Sequence, residues 1–174
     1  MNQPSIAYIG LGSNMGDKQQ RLCQAIAQLA SYDLTILKVS SLYETAPVDY
    51  LDQDWFYNAV IEIETARAPL LLINDCQEIE KMLGKAIEIP KGPRTIDLDI
   101  LFYGDQTIVL PHLMIPHPSA LKRLFVLAPM AEIAPGFIPP NDHRTIQEIV
   151  SHLEGATVVR KKTGPEWAGK VAPH

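Results

Sequence analysis

The chain has 174 residues and a mass of 19.3 kDa, and 47% of its residues are hydrophobic, so one domain with a packed core is expected. Lysine and arginine total 15 against 20 aspartate and glutamate residues, which gives a net charge of −5 and disfavours non-specific binding to nucleic acid or an anionic membrane. Charged residues make up only 20% and no low-complexity run occurs, which argues against intrinsic disorder.

The N-terminus and the two cysteines indicate an intracellular protein. Residues 1–5 lack the basic and apolar segments of a secretory signal, and nothing later approaches the roughly 18 apolar residues of a membrane span. Cys23 and Cys76 fall in predicted amphipathic helices without metal-ligand spacing, which is typical of core thiols in a reducing compartment. We therefore expect a cytoplasmic protein with no nucleic-acid or membrane partner.

The first half of the chain predicts a strand, a helix and two further strands. An apolar run ends in a Gly-Leu-Gly-Ser-Asn turn, helical spacing follows, and two later segments alternate with a period of two. In order, these are a strand at 6–11, a helix carrying Leu22, Ile26 and Leu29, and strands at 34–43 and 57–63. The stretch Ala46–Trp55 between the last two is predicted to be a long loop of the kind that forms lids or binding sites.

The second half begins with a well-marked helix. Pro69 suits its first turn, Ile73, Cys76, Ile79 and Leu83 form its apolar stripe, and Gly84 suits its end. Residues 86–93 are predicted to form a second loop. The remaining predicted elements are a strand at 95–103, a hairpin turn at Gly104–Asp105 with a return strand at 107–110, an extended stretch at 111–118, a short helix from Ser119 towards Pro129, a helix opened by a capping box at Thr145 and stopped at Gly155, and a strand at 157–160.

This order of elements predicts an α+β domain. Hairpin-like strand pairs interrupt the strict alternation of a doubly wound sheet, so helices packed on a largely antiparallel sheet fit best. Residues 1–162 are expected to form a single domain, and residues 163–174 a loosely ordered tail.

The segment Gly92–Leu101 carries the most informative polar pattern. Side chains of a strand alternate between faces, so Asp97 and Asp99 share one face while Leu98 points into the core. Two carboxylates at i and i+2 repel each other unless a cation lies between them, and hard oxygen ligands suit Mg²⁺. An exposed polar strand face is the alternative, and metal binding is the favoured interpretation.

Phosphate recognition would have to rely on side chains. Gly84-Lys85 lacks the glycine spacing of a P-loop, and Gly10-Leu11-Gly12 lacks the third glycine of the dinucleotide fingerprint. Residues 81–123 nevertheless carry a net charge of +2 and include two histidines, His112 and His117, which can donate to phosphate oxygens. Each of these groups alone is more typical of a solvated surface, but beside the aspartate pair that interpretation weakens.

Two further groups of residues could contact a heterocycle. Gln77 and Glu80 share one helix edge and could meet a purine or ribose, although exposed helix polarity explains them equally well. Phe56 and Phe125 could sandwich a ring whose edge Asn58 reads, although core packing is the simpler explanation of both phenylalanines.

Several motifs, in chain order, resemble those of the 6-hydroxymethyl-7,8-dihydropterin pyrophosphokinase family of folate biosynthesis. They run from about Ile6 to Leu153, and the sequence GPRTIDLDIL is highly specific to that family. The motifs are YIGLGSN at 8–14, SLYETAP at 41–47 with FYN at 56–58, GPRTIDLDIL at 92–101, IPHP at 115–118 with FVL at 125–127, and EIAP at 132–135.

The resemblance implies a ferredoxin-like α+β fold with helices on both faces of the sheet. It implies transfer of a pyrophosphoryl unit from ATP to the hydroxymethyl group of the pterin, with AMP as the second product. ATP and the pterin would be the only partners, and we expect a monomer. Asp97 and Asp99 would hold two Mg²⁺ ions.

The resemblance also assigns site residues by matching position. The catalytic positions are Arg94, Asp97, Asp99, His117 and Arg123. The nucleotide positions are Gln77, Glu80, Arg94, Ile100, His112, His117 and Arg123, and the pterin positions are Gly12, Thr45, Pro47, Phe56, Asn58 and Phe125.

Two predicted loops match loops of the family, and three residues differ from those that are usual at their positions. Ala46–Trp55 and Ala86–Lys91 match mobile loops that close over the substrates. Lys91 stands where many members have an aromatic residue, His112 where arginine is common, and Met114 where a small hydroxyl residue is common.

Two alternative functions remain open from the sequence. A nucleotidyltransferase also joins a Gly-Ser turn to an Asp-x-Asp strand, but there the two lie close together in sequence, whereas more than eighty residues separate Gly12 from Asp97. A non-catalytic ferredoxin-like domain that binds small molecules would have no need for paired strand carboxylates beside Arg94.

Overall fold

The computed structural model describes residues 3–47, 51–85, 92–153 and 159–171. Strands and helices alternate irregularly along the chain, as an α+β protein requires. The elements are β1 (Ser5–Ser13), α1 (Lys18–Ala30), β2 (Leu34–Val39), β3 (Leu42–Thr45), β4 (Phe56–Thr65), α2 (Pro69–Met82), β5 (Asp97–Tyr103), β6 (Ile108–Leu110), β7 (Leu113–Ile115), a 3₁₀ turn (Ala120–Lys122), α3 (Leu124–Ile133), α4 (Ile146–His152), β8 (Val159–Thr163) and a 3₁₀ segment (Pro165–Val171).

Six of these strands form one sheet in which every pairing is antiparallel. The strand order is β5-β1-β4-β3-β8, and β2 pairs with β4 beside β3. The ten-residue β4 therefore carries two short strands along one edge, with Leu34 opposite Thr65 and Thr45 opposite Phe56. The long β1 and β4 form the centre of the sheet and fix the positions of residues at both of its ends.

Helices cover both faces of the sheet, so the predicted α+β, ferredoxin-like architecture is confirmed. Buried side chains of α1 and α2 pack on one face, against the alternate residues Ile9, Ile61 and Ile63. Buried side chains of α3 and α4 pack on the other face, against Tyr8 and Phe102. The predicted stripes of the first two helices lie in the first of these layers, with Ile73 and Leu83 only partly buried at its margin.

The predicted strand over 34–43 is two strands, because the chain bends at Ser40 and Ser41. The Ser40 hydroxyl accepts a hydrogen bond from the Val60 amide (2.9 Å), and the Ser41 amide donates to Glu132 of α3 (2.8 Å). The Ser40 amide still donates to the Val60 carbonyl (2.9 Å), but the side-chain partners interrupt the regular ladder there. Beyond this point β3 continues along the same edge of β4 with its register shifted by one residue, since Val39 is opposite Ile61 and Tyr43 is opposite Asn58.

The prediction that residues 107–110 return along β5 as a hairpin was wrong. After Gly104, whose φ is +54°, the chain leaves the main sheet, and β6 pairs with β7 in a separate two-stranded sheet. Leu113 and Ile115 are buried while Met114 between them is exposed, which is the alternation of a half-buried strand. The predicted extended stretch at 111–118 thus contains the strand that β6 needs.

The predicted start of α4 agrees with the structure, whereas the helix predicted from Ser119 does not. The Thr145 hydroxyl accepts from the Glu148 amide (3.2 Å), and Glu148 accepts in return from the Thr145 amide (2.9 Å), so the capping box opens α4 as predicted. The helix expected from Ser119 is instead a 3₁₀ turn followed by α3, which continues through Pro129 to Ile133.

The loose tail predicted at 163–174 differs from the structure as far as Val171, where the described residues end. The boundary at 162 falls within β8, and Trp167, only 5% exposed, inserts into the core with Ala168. The Trp167 indole donates a hydrogen bond to the Ser40 carbonyl (2.8 Å), so its polar N–H is satisfied at the bend between β2 and β3. Burial of a large aromatic ring explains why this segment is ordered.

Some predictions lie outside the described residues. These are the loop Ala86–Lys91 with its unusual Lys91, positions 48–50 of the first loop, and the helix stop at Gly155. Within the described ranges, no helix is long and apolar enough to cross a membrane. Cys23 and Cys76 are free thiols, the second of them buried.

Candidate active site

A cleft opens on the α3 face of the sheet, where β4, β1 and β5 lie side by side. Gly12 is opposite Asn58 on one neighbouring strand and opposite Asp97 on the other, while Gly10 is opposite Asp99. Because neither glycine has a side chain, the backbone of β1 forms a floor between the flanking side chains. A cavity of about 220 Å³ lies over this floor, and we call it the first cavity.

The first cavity brings together most of the residues predicted to form the site. Residues from four strands and from the segments after β7 and before β5 line it. The predicted residues among them are Gly12, Thr45, Phe56, Asn58, Arg94, Asp97, Asp99, His117, Arg123 and Phe125. Pro47 is the predicted pterin residue that does not line it, and the adjacent Ala46 takes that place.

A second cavity of about 370 Å³ adjoins the first, between the end of α2, β5 and the β6–β7 sheet. It contains the rest of the predicted nucleotide residues, which are Gln77, Glu80, Ile100 and His112, together with Lys85 and Met114. Asp99 and His117 line both cavities. These two residues therefore mark the junction at which groups bound in the two cavities would meet.

The aspartate pair has the orientation that the strand pattern predicts. Leu98 and Ile100 are buried in the layer of α1 and α2, while Asp97 and Asp99 line the first cavity on the opposite face. Within the described part of the chain, no hydrogen bond or ion pair engages the Asp99 carboxylate. The Asp99 side chain is exposed at the cavity wall, yet the partial loss of hydration there and the repulsion of nearby Asp97 raise the pKa of Asp99 to about 6.

Lys85 makes a close charged contact with this pair. Its ammonium lies 2.7 Å from Asp97 Oδ1 and 2.7 Å from Glu80 Oε2. The same Glu80 oxygen accepts the Leu98 amide at 3.0 Å, which ties the end of α2 to β5. Burial raises the pKa of Glu80, and the attractive charge of Lys85 only partly opposes this effect.

His117 is held in one orientation at the junction. Its Nδ1 accepts the Ser119 amide at 3.1 Å, so the neutral ring carries its proton on Nε2. Burial and the nearby Arg123 charge both lower the pKa of His117, which favours that neutral form. The Arg123 guanidinium lies 5.5 Å from the centre of the Phe125 ring and fixes a positive charge beside an aromatic wall.

The opposite side of the first cavity is built from neutral polar groups. Asn58, 8% exposed, donates a hydrogen bond to the Thr45 hydroxyl (2.7 Å). A Cβ added at Gly12 would lie 2.8 Å from Asn58 Oδ1, closer than such atoms approach. The size of the cavity beside Asn58 thus depends on glycine at position 12.

Sequence reasoning missed the role of Asn14. Its side-chain oxygen accepts the Arg94 amide (2.8 Å), and its side-chain nitrogen donates to Gln53 and to the Asp54 carbonyl (2.8 and 3.0 Å). One buried amide thus joins the turn after β1 to the segments on both sides of the cleft. The Gly-Ser-Asn turn was recognised, but a contact across 80 residues leaves no local signal.

The donor set of the cleft fits magnesium. Among the described residues, no three His, Cys, Asp or Glu side chains are grouped to hold a metal, and the carboxylate pair that this part of the chain presents in the first cavity is Asp97 and Asp99. Magnesium is commonly bound by one or two carboxylates, with phosphate and water oxygens completing its coordination. The repulsion that raises the pKa of Asp99 is what a cation between the two carboxylates would relieve.

Comparison with known proteins gives consistent matches over most of the chain. The sequence profile of 7,8-dihydro-6-hydroxymethylpterin-pyrophosphokinase (HPPK) matches residues 8–135. The Bacillus subtilis 2-amino-4-hydroxy-6-hydroxymethyldihydropteridine pyrophosphokinase is 50% identical over 161 residues, which cover 92% of this chain and 93% of that protein. A Methylorubrum extorquens protein of the same name is 39% identical over 155 residues, 88% and 97% of the two chains.

A solved structure has the same fold. The crystal structure of wild-type Plasmodium falciparum HPPK-DHPS with pteroate superposes with a TM-score of 0.70 over 87% of this chain, at 18% sequence identity. The chain spans 42% of that longer protein. At this identity the likeness establishes the fold, and the sequence matches carry the relationship.

Proposed function

This chain belongs to the 7,8-dihydro-6-hydroxymethylpterin pyrophosphokinase family, and from that membership we propose that it transfers the β,γ-pyrophosphoryl unit of ATP to 6-hydroxymethyl-7,8-dihydropterin. The protein is a pyrophosphokinase of folate biosynthesis. The observation that carries the proposed reaction is the junction at Asp99 and His117, which both cavities share. We propose that the pterin occupies the first cavity and ATP the second.

The pterin is a flat heterocycle with hydrogen-bonding groups along one edge. Phe56 and Phe125 supply apolar surfaces for its faces, and the Asn58 amide faces the same space, held by the Thr45 hydroxyl. A buried amide that already has one fixed partner discriminates well between ring edges, because an unmatched polar group there would be costly. Gly12 provides the room that the ring needs, and we assign Pro47 to the rim.

The triphosphate needs cationic partners at the junction. Arg94 and Arg123 line the first cavity together with the aspartate pair, and His117, whose neutral ring carries its proton on Nε2, lines both cavities. On the far side, Gln77, Glu80 and His112 offer polar groups to the ribose and base, and Ile100 offers apolar surface. With the two substrates bound as proposed, the phosphate charge of ATP would lie next to the pterin hydroxyl, where reaction would occur.

The reaction is an in-line displacement at phosphorus. The pterin hydroxyl oxygen forms a bond to the β-phosphorus, the bond from that phosphorus to the oxygen bridging the α- and β-phosphates breaks, and AMP leaves with that oxygen. The hydroxyl proton is lost to solvent. Because such transfers depend on orientation and charge neutralisation, Arg94, Arg123 and His117 act mainly as positioned donors.

Magnesium completes the proposed site. Two ions held by Asp97 and Asp99 would neutralise triphosphate charge and lower the pKa of the pterin hydroxyl. The two aspartates themselves serve by presenting oxygens on one strand face, at the junction of the cavities. We further propose that the protein acts as a cytoplasmic monomer on these two small molecules.

The test is an assay of purified protein with ATP, Mg²⁺ and the hydroxymethyl dihydropterin. We expect AMP and the pterin pyrophosphate in equal amounts. Formation of ADP, or no AMP above a control without the pterin, contradicts the proposal. The same assay separates the alternatives, since a nucleotidyltransferase releases inorganic pyrophosphate and a non-catalytic domain yields no product.

The separation of Gly12 and Asp97 in sequence is not a valid argument against a nucleotidyltransferase. Gly12 and Asp97, more than eighty residues apart in sequence, are direct neighbours across β1 and β5. The two alternative functions are instead disfavoured because the profile match and the named relatives cover most of the chain.

A further inference from the structure

Lys85 occupies an unusual position between two elements of the site. Its ammonium contacts Asp97 on β5 and Glu80 on α2 at the same distance of 2.7 Å. The Lys85 side chain is 17% exposed, against 32% for Asp97. Two of the three ammonium donors are therefore directed at carboxylates, and one of those carboxylates belongs to the proposed metal pair.

Glu80 keeps the lysine at this position. The oxygen of Glu80 that contacts Lys85 also accepts the Leu98 amide, and Leu98 directly follows Asp97. The carboxylate is thus anchored to the backbone of β5 one residue away from the aspartate. The Lys85 ammonium is thus held between two carboxylate oxygens, one on each element, at 2.7 Å from each.

The two aspartates are consequently unequal. Asp97 has an internal cation, whereas the Asp99 carboxylate has no ion-pair partner among the described residues. Asp99 is exposed, and although the charges of Lys85 and Arg123 lie near enough to act on it, a divalent ion can reach it without displacing a bonded cation. At Asp97 it meets the Lys85 ammonium on the same carboxylate, and two cations at one carboxylate repel each other strongly in a partly buried site.

We infer that Lys85 is an internal counter-ion of the metal site, which holds Asp97 while no metal is bound and has to leave it when Mg²⁺ binds. This inference rests on the proposed assignment of Asp97 as a metal ligand. It makes metal binding an exchange of one cation for another. The exchange becomes easier when an anion is available to the displaced ammonium, so a polyphosphate in the second cavity, which Lys85 also lines, raises the affinity for the metal.

The experiment measures Mn²⁺ binding to the full chain by electron paramagnetic resonance of the free ion, with and without a non-hydrolysable ATP analogue. Lys85→Met removes the charge and keeps much of the length of the side chain. Lys81→Met is the matched control, because Lys81 is an exposed lysine one turn earlier at the end of α2. Circular dichroism and thermal melting verify that each variant is folded.

Without nucleotide, we expect Lys85→Met to bind Mn²⁺ about tenfold more tightly than the unmodified protein, and Lys81→Met to stay within about twofold of it. With the analogue present, we expect the gap for Lys85→Met to shrink to about threefold or less. Lys85→Arg, which keeps the charge, should bind no more tightly than the unmodified protein. Adding Asp97→Asn to Lys85→Met should remove the gain.

An unchanged or weaker Mn²⁺ affinity in Lys85→Met overturns the inference, as does an equal gain in Lys81→Met. If Lys85→Met fails to fold, Lys85→Gln replaces it with the same expected gain. Failure of the underlying assignment looks different. In that case the unmodified protein does not bind Mn²⁺ even with the ATP analogue, or Asp97→Asn binds it as well as the unmodified protein does.

Discussion

The two cavities of the cleft are built in different ways. The first has a floor of strand backbone and a side wall in which Asn58 and Thr45, both buried, are bonded to each other. The second lies between a helix end and a small separate sheet, where His112 is exposed and Met114 is 44% exposed. Side chains fixed on adjacent strands keep their spacing, whereas exposed ones on a turn can adjust to a ligand.

With the pterin in the first cavity and ATP in the second, as proposed, this difference would give each cavity its own basis for selecting a ligand. Shape is the main basis of selection in the first cavity, since a single added methyl group at Gly12 meets Asn58. Charge is the main basis in the second, through Glu80, Lys85 and the histidines. Mutations should therefore act sharply and on one substrate in the first cavity, mildly in the second, and on both substrates at the junction.

The largest effect is expected at the junction itself. Asp99→Asn should lower kcat by about a thousandfold or more, since it replaces one of the two carboxylates proposed to hold the metal ions by a neutral amide of the same volume. The rate of AMP formation at saturating substrates measures this. Asp105→Asn, an exposed aspartate in the turn after β5, is the matched control and should keep full activity. Substantial turnover by Asp99→Asn would rule out the metal assignment.

A substitution at Gly12 should weaken binding of the pterin in the first cavity and leave ATP binding unchanged. Gly12→Ala brings a Cβ to 2.8 Å from Asn58 Oδ1, and we expect it to raise the KM for the pterin by about tenfold to a hundredfold. Binding of an ATP analogue, measured by calorimetry, should stay within about twofold. Gly136→Ala, where the added Cβ meets nothing within 4 Å, is the control. Equal loss of both ligands would mean that the cavities do not act separately.

In the second cavity the expected effect is small. His112 is exposed and lies at the rim, so His112→Ala should raise the KM for ATP by only about threefold, as for a solvent-screened contact. The KM for the pterin should not change. Steady-state kinetics with each substrate varied in turn measures both constants, and a loss of a hundredfold would show that this side is as rigid as the other.

The smallest kinetic effect is expected far from the cleft. Trp167→Ala removes a buried indole and its hydrogen bond to Ser40, which should lower the free energy of unfolding by about 3–5 kcal/mol and leave both KM values within about twofold at low temperature. Urea unfolding measures the first effect. A selective rise in the KM for the pterin would show that the first cavity depends on the C-terminal segment as well as on its own strands.

Structural features set by residues close together in the sequence could be predicted. The period of two placed Asp97 and Asp99 on one face, and the capping box at Thr145 marked the start of α4. Motifs in short segments of strand and turn predicted many of the residues that line the two cavities. Their arrangement in two adjoining cavities was not predictable, since it depends on how distant strands pair.

Features that depend on distant partners were missed. Nothing near Ser40 indicates that its carbonyl accepts from Trp167, or that Glu132 bonds the amide of Ser41. The return strand after Gly104 was assigned to the wrong partner because local alternation does not specify which strand lies beside it. The contact of Lys85 with Asp97 likewise requires α2 to end beside β5, which no local pattern encodes.

The Trp167 contact also bears on how the protein is made. It joins residues 127 positions apart in sequence, and β8, which precedes it, completes the edge of the sheet at β3. A ribosome releases those residues only after every other part of the site has emerged. Until then the edge of β3 remains open to pairing with other chains, so the strand that ends in Thr45 is the last part of the active site to be protected during synthesis.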